Sequence, residues 1–133
     1  MPIVRIDIES GKSPAYRHAV LAGVRRGVTS GLGVADDRVT VRLCEIAGDN
    51  IDTAGAKSDR YTVVEVSMLP GRDAALKDAM YRAIAEELAA EPGISARDLV
   101  VLVHDPSAEC FFLNGEIACG PTQPMTSVPE EDS

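Results

Sequence analysis

The chain has 133 residues, 45% of them hydrophobic, with no tryptophan and a formal net charge of −8 at pH 7. That length and apolar content suit one domain with its own core. The acidic balance, without a Lys/Arg cluster, argues against nucleic acid and anionic membranes as partners, and no apolar run is long enough to span a bilayer.

Charges at Arg5, Asp7 and Glu9 interrupt the first apolar stretch, so no signal peptide is expected and a cytoplasmic location follows. The three cysteines, Cys44, Cys110 and Cys119, are an odd set without close pairing, as suits free thiols in a reducing compartment. Two histidines, His18 and His104, are too few for a histidine-based metal site. No CxxC, HExxH or P-loop pattern occurs, and neither a metal nor a cofactor is expected.

The chain opens Met1-Pro2. Methionine before a small residue is normally removed, which would leave Pro2 with a secondary amine at the start of a strand. Residues 3–8 alternate, with Val4, Ile6 and Ile8 on one face and Ile3, Arg5 and Asp7 on the other. Ser13-Pro14 reads as a helix start, with Ser13 as N-cap and Pro14 in the first turn. Tyr16, Ala19, Val20, Gly23, Val24, Gly27 and Val28 recur at helical spacing, and Gly31-Leu32-Gly33 offers a left-handed cap. Asp36-Asp37-Arg38 leads into a second strand carrying Val39, Val41 and Leu43.

An irregular connection spans 47–60, and the pattern then restarts. Tyr61 to Leu69 reads as a strand with Val64, Val66 and Met68 inward. After Pro70-Gly71-Arg72, Asp73 can cap a helix whose apolar face is Ala75, Leu76, Ala79, Met80, Ala83, Ile84 and Leu88. Pro92-Gly93 stops that helix, and Leu99 to Val103 form a last core strand. Glu109 to Glu116 holds both phenylalanines, Phe111 and Phe112, and 119–133 reads as an acidic, proline-containing flexible tail.

The halves, about 1–46 and 61–106, superpose at an offset of 60 without gaps. Val4/Ile6/Ile8 fall on Val64/Val66/Met68, Gly11-Lys12-Ser13 on Gly71-Arg72-Asp73, Gly33 on Gly93, and Pro2 on Thr62. Each half is a β-α-β unit with parallel strands. The expected fold is α+β: duplicated β-α-β units forming a four-stranded mixed sheet with two helices on one face, within a domain of residues 1–118. The other face, with Ile3, Val63, Val100 and Leu102 among polar residues, is too apolar to be simply solvated, which implies a covering subunit.

A duplicated β-α-β chain opening Met1-Pro2 resembles the tautomerase superfamily, in particular its fused-chain members related to malonate semialdehyde decarboxylase. The motifs are Met1 to Asp7, Leu32-Gly33-Val34 with Asp36-Asp37-Arg38, Gly71-Arg72-Asp73 to Lys77, and Phe112 with Gly115. The resemblance implies a homotrimer and a catalytic role for Pro2. It also implies that Arg72 binds and polarises a carboxylate or carbonyl, that Asp37 orients the reacting group or a water, and that Phe112 lines the pocket. Some positions depart from the pattern. Leu69 and Gly71 stand where the decarboxylase has a further arginine, Cys110 where the family has Trp, and Leu113 where it has Gly. Val101 and Leu113 lie near the places of the water-activating Tyr and Glu of the related dehalogenases.

The leading expectation is a cofactor-free tautomerase acting on a small carboxylate-bearing substrate, a 2-oxo or 3-oxo acid. Pro2 would transfer the proton, Arg72 would hold the anion, and the Phe111-Phe112 segment would exclude water. Burial beside Arg72 should push the Pro2 amine toward its neutral form, suiting a base, whereas a charged amine would suit an acid. The alternatives are a malonate semialdehyde-type decarboxylase and a non-catalytic trimeric binding protein.

Overall fold

A computed structural model describes residues 1–118; the tail expected over 119–133, with Cys119, lies outside them. Strand β1 (Ile3–Glu9), helix α1 (Pro14–Leu32) and strand β2 (Thr40–Ile46) are followed by β3 (Thr62–Ser67), α2 (Ala74–Ala90) and β4 (Leu99–His104). The element order of the first half is thus repeated in the second. The sheet runs β2-β1-β3-β4, parallel within each half and antiparallel where β1 meets β3.

The register makes the duplication geometric. Ile3 lies opposite Thr40 in one parallel pair and Val63 opposite Val100 in the other. At the central antiparallel pair Arg5 faces Glu65, its own equivalent sixty residues later. A pseudo-twofold axis therefore passes between these two residues and exchanges the ends of the sheet. The starts of β1 and β2 share one end with the finishes of β3 and β4; the opposite end reverses this.

The helices start where the chain supplies caps. Ser13 accepts from the Tyr16 N–H and Asp73 from the Leu76 N–H, with Pro14 in the first turn of α1. Gly33, at φ 70°, ends α1, and its N–H and that of Val34 both donate to the Thr29 carbonyl. Each helix lays an apolar stripe on the sheet, with Val20, Val24, Val28 and Leu32 from α1 and Leu76, Met80, Ile84 and Leu88 from α2. These pack on Val4, Ile6, Ile8, Val64, Val66 and Met68. Each such side chain contributes roughly 1.5–3 kcal/mol when fully buried. Ala75 and Ala79, assigned to this stripe from their spacing, are exposed, because the larger residues Leu76 and Met80 take the sheet-facing positions. The opposite face of the sheet is uncovered in the single chain, and there His104 Nε2 lies 2.9 Å from Glu65 Oε1. Among the described residues no helix is long and apolar enough to cross a membrane.

The two helices meet through glycines. A Cβ placed on Gly27 would stand 2.6 Å from the Ile84 Cα and 2.7 Å from its N, and one on Gly31 would strike the Met80 backbone. A glycine inside a helix costs about 1 kcal/mol relative to alanine, so these positions oppose helix formation locally and are retained for close packing. Gly27→Ala should therefore lower stability by about 1–3 kcal/mol despite its helix propensity, because the obstructing atoms are backbone. Denaturant unfolding checks this, and a neutral or stabilising result would contradict the contact.

The irregular 47–60 connection is tied down at its end. The Ser58 N–H donates to Asp98 Oδ1 at 2.9 Å and the Ser58 hydroxyl to Oδ2, while Lys57 Nζ donates to the Arg97 carbonyl at 2.7 Å. Asp98 is buried, and the two Ser58 bonds hold its carboxyl below the ordinary aspartate value. The stabilisation they bring is present above the unfolded pKa and is lost as pH falls through the folded one. An NMR titration of Asp98 should give a depressed pKa that rises in Ser58→Ala. The variant's stability deficit should be largest at neutral pH and shrink on acidification.

Candidate active site

Pro2 is buried at the start of β1, and its carbonyl accepts from the Thr40 N–H at 3.2 Å. Because Ile3 pairs with Thr40 on one side and Ser67 on the other, Pro2 sits at the sheet end where β2 begins and β3 finishes. Three sequence features converge there. Asp37 lies in the short helical turn Asp36–Arg38 just before β2. Pro70-Gly71-Arg72 follows β3. Asp105 follows β4, whose His104 carbonyl accepts from the Met68 N–H at 3.0 Å.

Arg72 is placed by its local sequence. Gly71 takes φ 119°, open to glycine and strained for other residues, and Asp73 then caps α2. Between them Arg72 is driven inward, where it is 5% exposed with Nε and Nη1 sealed from solvent. A guanidinium stays charged when buried, and the N-terminus of α2 adds positive potential rather than relieving it. Met68 and Leu69, directly after β3, are also buried.

The remaining expected residues are placed differently. Asp37 is exposed, on a turn held by Arg25, whose Nη1 donates to the Asp36 carbonyl at 2.8 Å. Phe112 is 72% exposed, so within one chain it walls nothing. The segment carrying it is a small hairpin, β5 (Phe112–Leu113) and β6 (Glu116–Ile117), with Asn114 and Gly115 both at positive φ. Asn-Gly is a strong two-residue hairpin signal, and it was available in the sequence. Phe112 and Ile117 are cross-strand partners, and both are exposed.

One contact at this end was not anticipated. Lys77 Nζ lies 2.7 Å from Asp105 Oδ2, both side chains about a quarter exposed. It ties the first turns of α2 to the segment that leaves β4 toward the hairpin. Its signal was slight, a lysine four residues after the helix cap and an aspartate at a strand end. Among the described residues no cluster of His, Cys, Asp and Glu could hold a metal ion.

The architecture has well-matched counterparts. Malonate semialdehyde decarboxylase superposes with a TM-score of 0.76 at 16% identity, covering 84% of this chain and 90% of its own. A fused 4-OT forming a symmetric trimer gives 0.77 at 23%, covering 87% and 94%. Pt0534, inactivated by 2-oxo-3-pentynoate, gives 0.79 at 22%, also covering 87% and 94%. The fold is tautomerase-like. At the level of sequence, residues 50–109 match the family model described as tautomerase enzyme. That span takes in β3, the Gly71-Arg72 turn, α2 and β4. Pro2 and Asp37 lie outside it.

Proposed function

We propose that the protein is a cofactor-independent tautomerase of a small 2-oxo or 3-oxo carboxylate, acting in the cytoplasm as a homotrimer. The observation that carries this reading is the buried Arg72 at the same sheet end as Pro2. With Met1 attached, the Pro2 nitrogen is an amide and has no basicity; once Met1 is removed it is a secondary amine. Desolvation and the nearby cation both favour its neutral form. The amine accepts the enol hydroxyl proton and the ammonium returns a proton to the adjacent carbon. The carbon–carbon double bond is consumed as the carbonyl forms. Arg72 holds the carboxylate or the oxyanion that develops between these steps.

Trimers among structures of this fold support a site completed by a neighbouring subunit, and the exposed Phe112 is suited to wall such a shared pocket. The inactivation of Pt0534 by a 2-oxo acid supports the substrate class. Likeness to malonate semialdehyde decarboxylase, with Asp37 at the same sheet end, supports a second reading, decarboxylation of a 3-oxo acid. There a protonated Pro2 would polarise the carbonyl and Asp37 would orient the carboxylate.

Met-free protein should ketonise an enolpyruvate-type substrate. Pro2→Ala should lower kcat/KM by about 100-fold or more, the low end of the range for a lost general base. Arg72→Ala should lower it by a similar factor. A rate indifferent to Pro2→Ala would sink the mechanism. Carboxylate binding without any turnover would mark a binding module. An NMR pH titration of the Pro2 nitrogen separates the two chemistries: a neutral amine near pH 7 accords with the tautomerase, a charged one with the decarboxylase, whose carbon dioxide release should fall in Asp37→Asn.

A further inference from the structure

The pseudo-twofold axis carries the Pro2 end of the sheet onto the opposite end, where β1 and β2 finish and β3 and β4 begin. Lys12 there takes the place of Arg72. Gly11 before it has φ 97°, as Gly71 has φ 119°, and Ser13 after it caps α1 as Asp73 caps α2. The cationic turn is thus built twice.

The second version has features that the repeat alone does not require. Tyr16, in the first turn of α1, is 9% exposed, and its hydroxyl is sealed from solvent with no hydrogen-bond partner. Two cations lie near its ring, Lys12 Nζ at 5.8 Å from the centroid and Arg60 Cζ at 5.4 Å. Arg60 is held in place, its Nη1 donating to the Pro92 and Gly93 carbonyls at 2.8 and 3.1 Å. The Lys12 side chain is 13% exposed, and the carboxylate set against it is that of Asp59, at 3.8 Å and 71% exposed. The other nearby carboxylate, Asp98, is already committed to Ser58. A buried donor without an acceptor is costly. A loosely engaged, solvent-facing aspartate is a poor match for a nearly buried ammonium.

We infer that Lys12, Tyr16 and Arg60 form a second binding site for a small carboxylate, at the sheet end opposite Pro2. The ligand displaces Asp59 from Lys12, a displacement that uncovers the Tyr16 hydroxyl, accepts a hydrogen bond from that hydroxyl and lies within the field of Arg60. This site holds its ligand without transforming it. Thr62 stands at the position of Pro2, mid-chain and without an amine, and its hydroxyl donates to the Arg60 carbonyl at 2.8 Å. The inference rests on this cluster and not on catalysis at Pro2.

The test uses the full chain carrying Arg72→Ala, so that the first site is silenced, with tyrosines isotopically labelled and pyruvate as the probe. Pyruvate should shift the Tyr16 ring resonances saturably, leaving Tyr61 and Tyr81 as internal references. Lys12→Gln should weaken the dissociation constant by about tenfold, as for loss of a charged hydrogen-bonding partner. Tyr16→Phe, which keeps the ring packed, should weaken it about threefold to tenfold, read from the Lys12 side-chain resonances. Asp59→Asn should tighten it by removing the internal competitor. No saturable shift at Tyr16, a shift reproduced by chloride at equal ionic strength, or an affinity indifferent to Lys12→Gln in a folded variant would each overturn the inference. Activity at Pro2 could fail entirely without affecting this result.

Discussion

The contact between α1 and α2 governs the rest of the architecture. Adjacent strands lie about 4.8 Å apart, and helices ordinarily pack 8–10 Å apart. One helix thus spans about two strands, and two helices in contact cover a four-stranded sheet. Gly23, Gly27 and Gly31 fall one turn apart on α1, and the latter two bring its backbone against Ile84 and Met80. That approach keeps Val4, Ile6, Val64 and Val66, the middle of the sheet, fully buried. With side chains at these glycines the helices would separate and open the core above β1 and β3. By comparison, the Arg26–Glu87 ion pair across the same helices, at 2.8 Å but largely exposed, contributes little.

Helix placement in turn decides where charge can be buried. Each helix begins at the end of a strand, capped by Ser13 or Asp73, and the residue before the cap is cationic in both halves. The antiparallel meeting of β1 and β3 sends these two starts to opposite ends of the sheet. At one end the cation, Arg72, shares its position with a proline at the start of a strand. At the other the cation, Lys12, shares its position with Thr62, an aromatic ring and Arg60. Duplication gave two similar turns, and the residues around them have since diverged in chemistry.

Much of this architecture was legible in the sequence because it depends on short-range rules. Ser13-Pro14, Asp73, Gly33 and Gly93 declare the ends of helices. Alternation in residues 3–8 and 62–68 declares the buried face of each strand, and the offset of 60 declares the repeat. The assignment of Ala75 and Ala79 to the core failed because alanine carries little burial preference of its own; the neighbouring Leu76 and Met80 decide the helix's rotation. The fate of Phe112 was not legible either. An aromatic residue signals that something should cover it, yet its neighbours in the chain do not say whether that cover comes from the same subunit. Tyr16 was read only as a core position. Its hydroxyl becomes significant once Lys12 and Arg60, far apart in sequence, are seen beside one ring.

The ends of the sheet have mixed parentage. The Pro2 end takes its first strand from one half and its arginine turn from the other, so neither half owns a complete set. The 47–60 connection, which becomes pinned at Ser58 in the fold, tethers the halves before they dock. A flexible segment of that length has a mean span of roughly 20 Å, which corresponds to an effective concentration on the order of millimolar. Fusing the halves thus turns a concentration-dependent encounter into a property of the single chain. It also fixes the ratio of proline-bearing to arginine-bearing units at one to one, whatever the expression level.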